Sequence, residues 1–291
     1  MPTLIPVQYH KRSYPEHIHP KISEIAGHFD IPAINPPGEY CLHTEYSFGK
    51  RRFDSPLIKK LPAIANAHRN GVPRLWDDGS WAIEFSEFIS LLCESHPPTA
   101  IEIHPPFSDY CPEFDTFLNR YRVFEERILS RWPSTEILLE NRGGTTYRGG
   151  KFLVSKVADL VALSEGLNKK GLSLKIAIDL PQLLSAYGGP DRLDDTDIAS
   201  IILGLSPIRH RILGLHLWGK RKNPKGRFVS HVGDLNSYFD SDREKKQAFL
   251  DATARLLDDE IPRHFVPEVN SNSEDLVSIV SDLEGAGFEF Q

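Results

Sequence analysis

Five apolar runs in this chain of 291 residues each end in an ionisable side chain. His104 closes Ile101-Glu102-Ile103-His104 ahead of Pro105-Pro106, and Glu140 closes Ile137-Leu138-Leu139-Glu140 ahead of Asn141-Arg142-Gly143. Asp179 closes the run from Leu174, His216 the run from Ile212, and Glu268 the run from His264. An ionisable group at the end of a buried strand is costly to desolvate, so it is usually paired, bound to metal or catalytic. Imidazole nitrogen and carboxylate oxygen together suit Zn²⁺, Mn²⁺ or Co²⁺ better than Ca²⁺ or a thiolate-seeking ion. A cation held this way polarises a substrate carbonyl or hydroxyl, or lowers the pKa of a water. A carboxylate beside it can move a proton at the carbon next to a carbonyl.

Each residue also has a purely structural use. Asp179 precedes Leu180-Pro181 and reads equally as a helix cap. Glu140 has Arg142 and Arg148 near it in sequence as ion-pair partners, and His216 has neighbouring backbone to bond. Glu268 lies between Pro267 and Val269, a setting that solvation explains poorly. The set carries more weight than any member.

The elements that position these groups follow from their spacing. The five termini are 36, 39, 37 and 52 residues apart. The first three intervals fit one strand, one helix and two loops. The last leaves room for a further unit around Phe228 to Val232. Between the strands, Phe114 to Trp132 and Phe152 to Leu167 carry apolar residues at helical spacing. Asn168 to Gly171 is a helix stop. Further helices are expected over Asp197 to Leu205, Asp242 to Asp258 and Ser273 to Leu283, the last capped by Ser273. In the first third, strands are expected at Thr3 to Tyr9 and Tyr40 to Tyr46. Helices are expected at Pro20 to Phe29, Ser55 to Ala67 and from Trp81 to Leu92. Strands alternating with helices imply a parallel sheet. A nearly even period over most of the chain favours a (β/α)8 TIM barrel, α/β in class, with its first one or two βα units irregular. No Ser- or Gly-rich linker interrupts the chain, so residues 1–291 read as one domain.

Composition narrows the function. The balance of 34 basic and 40 acidic residues gives a net charge of −6, which argues against a protein held to nucleic acid mainly by phosphate contacts. The basic run Lys220-Arg221-Lys222 with Lys225 and Arg227 is the local exception. Three cysteines without CxxC spacing, no signal-like N-terminus and no apolar stretch near 18 residues predict a cytoplasmic protein with no membrane partner. Oligomerisation stays open. The stretch from Gly144 to Lys151 has the wrong spacing for a P-loop and Phe152 where Ser or Thr is required, and no GxGxxG follows a strand. No nucleotide cofactor is therefore expected. Tyr46, Phe48, Phe107, Tyr110, Tyr147 and Trp218 lie near strand ends, and Trp218 is the best placed to stack on a sugar.

The ordered motifs Ile103-His104-Pro105, Leu139-Glu140-Asn141, Ile178-Asp179, Leu215-His216-Leu217, Ser230-His231-Val232-Gly233-Asp234-Leu235 and Pro267-Glu268 resemble the xylose isomerase-like TIM barrels. That superfamily includes endonuclease IV and the divalent-metal sugar isomerases and epimerases. The resemblance spans about Tyr40 to Asn270. It implies a shared metal site of Glu140, Asp179, His216 and Glu268, with the two glutamates as the acid/base pair in the epimerase branch. His43 and His104 resemble two further zinc-binding histidines of the endonuclease branch, His231 is a stand-in for another ligand, and Arg227 is similar to a substrate-contacting arginine. Two departures matter. Gln182 stands where the family often has histidine, and Arg227 and Val229 align with an Asp-x-His pair of the endonuclease branch. A full trinuclear zinc cluster is therefore not expected.

The sequence accordingly favours a metal-dependent sugar isomerase or epimerase. It would bind one divalent ion and act on a small polyhydroxylated carbonyl compound contacted by Gln182, Trp218, Lys220 and Arg227. A metal-dependent phosphodiesterase on damaged DNA is the alternative, favoured by His43, His104 and the basic run. A barrel that binds without catalysis is the third reading.

Overall fold

A computed structural model describes residues 1–31, 33–44, 55–69, 72–94, 96–144 and 150–291. Tyr46, Phe48, Tyr147 and Arg148, and most of the stretch from Gly144 to Lys151, lie outside the described residues.

Among the described residues the main sheet has a short strand at Glu289–Phe290 that pairs with the first strand, and eight further strands: β1 (Thr3–Gln8), β2 (Ile22–Gly27), β3 (Tyr40–Thr44), β4 (Ala100–Ile103), β5 (Glu136–Glu140), β6 (Lys175–Asp179), β7 (Ile212–Leu217) and β8 (Arg263–Pro267), these eight making the barrel. Their order in the sheet is their order in the chain, and β8 pairs with β1. That is the topology of a (β/α)8 barrel, as expected. The principal helices are α1 (Pro62–Ala67), α2 (Gly79–Leu92), α3 (Phe114–Arg131), α4 (Val157–Lys170), α5 (Leu180–Ser185), α6 (Asp195–Leu203), α7 (Leu235–Tyr238), α8 (Arg243–Leu257) and α9 (Ser273–Gly285). No helix among the described residues is long and apolar enough to cross a membrane.

The chain divides into two compact units. A central unit covers Ile25–Ile176, and a terminal unit joins Met1–Glu24 to Ala177–Gln291. In the central unit β3, β4 and β5 run parallel, with Leu42 opposite Ile101 and Ile101 opposite Ile137. Ile137 to Glu140 are all buried, which is why this strand reads as an unbroken apolar run rather than an alternating one. On α3, Phe117, Leu118, Tyr121, Phe124 and Ile128 are buried, the stripe its sequence period predicts. α4 stops at Gly171, whose φ of 64° is left-handed and open to glycine at little cost.

In the terminal unit β1, β8 and β7 are parallel neighbours, with Leu4 opposite Arg263 and Val266 opposite His216. Asp194 and Asp242 cap α6 and α8 through side-chain bonds to Asp197 N and Lys245 N. α9 is capped by Asn272, not Ser273, because the Asn272 side chain accepts from Asp275 N.

Three further expectations are corrected. Ile22–Gly27 is a strand and not a helix: Ile22, Ile25 and Ala26 have helical spacing, but Val7 pairs with Ile22 and Gln8 with Ser23 in a parallel ladder. Phe228–Ser230 is not a barrel strand but one arm of an exposed antiparallel hairpin with Lys220–Lys222. Ser55 to Ala67 holds only a 3₁₀ turn at Ile58–Lys60 and then α1, since Leu61 leaves helical geometry and Pro62 restarts it. The irregular first third is present as expected, because no helix links β1 to β2 or β2 to β3 among the described residues.

Candidate metal centre

In the central unit three strand ends bring together three side chains that could hold a metal ion. Strand register does this directly. His43 lies opposite Glu102, and Ile103 lies opposite Leu139, so His104 and Glu140 follow side by side at the C-terminal ends of β4 and β5. His104 Nε2 is 2.8 Å from Glu140 Oε2 and His43 Nε2 is 3.2 Å from the same oxygen. The two imidazole nitrogens are 3.1 Å apart, and their rings stack at 5.0 Å. Glu140 and His104 are fully buried and His43 nearly so.

The fit to a cation follows from these separations. A tetrahedral site with Zn–N and Zn–O bonds of ~2.0–2.1 Å has ligand-to-ligand edges of about 3.3 Å. Two imidazole nitrogens and one carboxylate oxygen that converge so closely are a donor set for such an ion. The atoms lie slightly nearer one another than that edge, the sense expected when hydrogen bonds hold them.

The electrostatics agree. Burial pushes the His104 imidazolium down to about 4, against the upward pull of Glu140, so the ring is neutral near pH 7 and offers a lone pair. Burial acts to raise the Glu140 carboxyl, but Arg142 and then His104 outweigh it and hold it well below the usual carboxylate range. Arg142 Nη1 donates to Glu140 Oε1 at 2.7 Å. Trp76 Nε1 donates to the His104 carbonyl at 2.7 Å. Glu102, also fully buried, places Oε2 3.9 Å from His43 Nδ1.

The terminal unit assembles a second group. His216, on β7, has Nδ1 3.4 Å from Glu268 Oε1, and His231 Nδ1 is 3.1 Å from Glu268 Oε2. Glu268 follows β8, and its N–H donates to the Leu217 carbonyl, which draws it beside His216. His231 has a φ of 61°, a left-handed conformation pinned by the Asn270 N–H on its carbonyl at 2.7 Å and by the Trp218 ring at 4.5 Å. Arg12 bonds the carbonyls of Val269 and Asn270 and so fixes the loop after Glu268.

Asp179 caps α5: its Oδ1 accepts from Gln182 N at 2.8 Å and its Oδ2 from Trp218 Nε1 at 2.9 Å. The structural use foreseen for it is therefore realised. Gln182 is buried next to it. Lys220 pairs with Asp191 at 3.1 Å and lies 4.5 Å from the exposed Phe228 ring. Arg227 is exposed in the turn of the hairpin.

Sequence reasoning did not find Trp76, Arg12 or Glu102. Trp76 and Arg12 act through main-chain carbonyls far from them in sequence, which no local pattern marks. Glu102 had a signal, a carboxylate inside an apolar strand two residues before a strand-end histidine.

Topology defines a (β/α)8 barrel, the fold that the sequence motifs implied, and histidine and carboxylate groups that could hold a metal ion lie at its strand ends. No family model matches the chain, and no curated protein matches it. Solved structures do. The chain is similar to an AP endonuclease, family 2, from Brucella melitensis, at 8% identity over 97% of this chain and 99% of that one, with a TM-score of 0.53. It is similar to the protein of the structure described as AsfvAP:AG, at 13% identity over 86% of each chain, also with a TM-score of 0.53. A D-tagatose 3-epimerase-like protein aligns at 13% identity over 98% and 97% of the two chains, with a TM-score of 0.47. The two likenesses with a TM-score of 0.53 support the fold and nothing finer.

Proposed function

We propose that the chain is a divalent-metal-dependent hydrolase of a phosphate ester, with His43, His104 and Glu140 holding the cation. The observation that carries this reading is the convergence of His43 Nε2, His104 Nε2 and Glu140 Oε2 to separations of 2.8–3.2 Å. A divalent cation bound there supplies Lewis acidity toward a substrate oxygen and brings the pKa of a water toward neutrality.

The side chains divide the remaining work. The buried, neutral His104 contributes a lone pair without proton loss near pH 7. Glu140 contributes the negative charge. Its Oε1 is engaged by Arg142 and its Oε2 faces both imidazoles, so it is placed as a ligand and not as a mobile base. In the terminal unit Glu268, between His216 and His231, is a carboxylate whose chemistry suits accepting and returning a proton. Lys220, Arg221 and Lys222 on the exposed hairpin present positive charge suited to phosphate oxygens. Two of them already pair with Asp191 and Asp275, which limits the attraction.

A second reading keeps the sugar isomerase or epimerase expected from the sequence. Glu268 favours it, since a carboxylate flanked by two imidazoles can shuttle a proton at a carbon beside a carbonyl, with Asp179 and His216 as further ligands. One comparison separates the two readings. The protein loaded with Zn²⁺, Mn²⁺ or Co²⁺ is assayed on bis(p-nitrophenyl) phosphate and an abasic-site oligonucleotide, and in parallel on ketoses followed by NMR. Metal-dependent hydrolysis that disappears in His104→Ala supports the hydrolase. Epimerisation without hydrolysis overturns it in favour of the second reading.

A further inference from the structure

Arg142 stands two residues beyond Glu140, and the geometry gives it a role of its own, resting on the metal reading above. Its Nη1 donates to Oε1 of Glu140 at 2.7 Å, while the other oxygen, Oε2, faces His104 at 2.8 Å and His43 at 3.2 Å. The guanidinium is itself restrained. The Arg142 N–H donates to the Val154 carbonyl at 3.0 Å, which tethers its backbone. Its guanidinium carbon lies 5.8 Å from the Phe152 ring centroid, and Phe152 stacks on Phe107 at 4.3 Å. The residue is only 9% exposed.

A free carboxylate turns easily about its last torsion, so its two oxygens are interchangeable and either or both can meet a cation. Here they are not interchangeable. One is claimed by a planar, permanently charged fork held in an aromatic wall, and the other is aimed at the histidine pair. We propose that Arg142 is a positioning residue that restricts Glu140 to ligation through Oε2 alone. The centre is thereby held to a low coordination number, and small cations that accept two imidazoles are favoured over those that want a bidentate carboxylate.

Charge and position predict opposite signs, which makes the idea testable. Arg142 carries a positive charge close to the cation, so its removal should by charge alone tighten metal binding. If its main effect is to orient Glu140, removal should loosen it, as loss of an orienting partner typically costs about 10–100-fold in affinity. The experiment is Co²⁺ titration of the whole protein against a competing chelator, with the visible spectrum recorded, for wild type, Arg142→Gln and Arg142→Lys. We expect Arg142→Gln to bind Co²⁺ about 10–100-fold more weakly and to lose visible intensity as the carboxylate turns and coordination rises. Arg142→Lys, with a point charge instead of a fork, should recover part of both. Affinity and spectrum equal to wild type in Arg142→Gln, or tighter binding, overturn the inference. Should Arg142→Gln fail to fold, Arg142→Lys carries the test, and a spectrum and affinity unchanged from wild type overturn it. Wild-type protein that binds no Co²⁺ overturns the metal reading and this inference together, whereas wild-type binding with an unaltered variant overturns this inference alone.

Discussion

Trp76 donates its indole N–H to the main-chain carbonyl of His104 at 2.7 Å, and it does so from a φ of 62°. A bulky residue in the left-handed region stores about 1–3 kcal/mol of strain. The surroundings offset it: Arg120 bonds the Trp76 carbonyl, and the ring packs against Trp81, Phe85, Phe117 and Phe124. The strained residue thus anchors the backbone of a candidate ligand. Trp76→Phe keeps most of the packing but strands the His104 carbonyl, at a cost of about 1–3 kcal/mol. Denaturant unfolding should read that loss, and Co²⁺ affinity should fall with it. Metal affinity equal to wild type in the folded variant would show that the anchor does not reach the site.

Glu140 is the counter-ion of a buried guanidinium. Glu140→Ala removes the carboxylate that pairs with the buried Arg142, and should destabilise the metal-free protein by about 3–5 kcal/mol. Glu140→Gln keeps an acceptor for Arg142 and should cost less. Both should lose bound metal. Calorimetric unfolding without metal, compared between the two variants, checks the ordering. Equal stabilities would mean that the ion pair with Arg142 contributes little.

Asp179 and Trp218 should behave as a coupled pair. Asp179→Asn keeps the cap to Gln182 N but turns an amide N–H₂ toward the indole N–H, and two donors cannot satisfy each other. The variant should lose about 1–3 kcal/mol. In a Trp218→Phe background the same change should cost much less, with a coupling energy of about 0.5–3 kcal/mol in the double-mutant cycle. Additive effects would contradict the contact. Metal content of Asp179→Asn, measured alongside, reports whether the residue is also a ligand.

Much of this site was legible in the sequence because apolar runs that end in His, Glu or Asp are energetically odd wherever they occur. Glu140, His104, His216 and Glu268 all stand at strand ends, and parallel register then sets His104 beside Glu140 in the central unit and His216 beside Glu268 in the terminal unit. Asp179 was legible twice, as a strand end and as a cap. The second strand was not legible: Ile22, Ile25 and Ala26 fit a helix by spacing, and only the ladder to Val7 and Gln8 makes them a strand. The run at Phe228–Ser230 has strand character, but whether it joins the barrel or folds back on Lys220–Lys222 depends on pairing that local sequence does not encode. Trp76 and Arg12 act on carbonyls 28 and more than 250 residues away.

Arg263 makes one part of the fold sensitive to acid. It is fully buried at the start of β8, paired with Asp259 and bonded to the carbonyls of Leu257, Ile261 and Ile212. Burial acts to raise the Asp259 carboxyl, but Arg263 outweighs it and the pKa is lowered. A carboxyl whose folded pKa lies below its unfolded value of about 3.9 contributes stability that is complete above that value and is lost as pH falls through the folded pKa. Wild-type stability should therefore decline on acidification below about pH 4 more steeply than that of Asp259→Asn, which lacks this dependence but starts lower. Parallel acid profiles for the two proteins would contradict the assignment.

The central claim is that His43, His104 and Glu140 hold a divalent cation. It is tested most directly by elemental analysis of protein purified without chelator, wild type beside a folded His43→Ala/His104→Ala variant. The account predicts stoichiometric Zn, Mn or Co in wild type and a clear loss in the variant. Wild type that carries no metal and takes none from excess Zn²⁺, Mn²⁺ or Co²⁺, or a variant with the wild-type content, would contradict it.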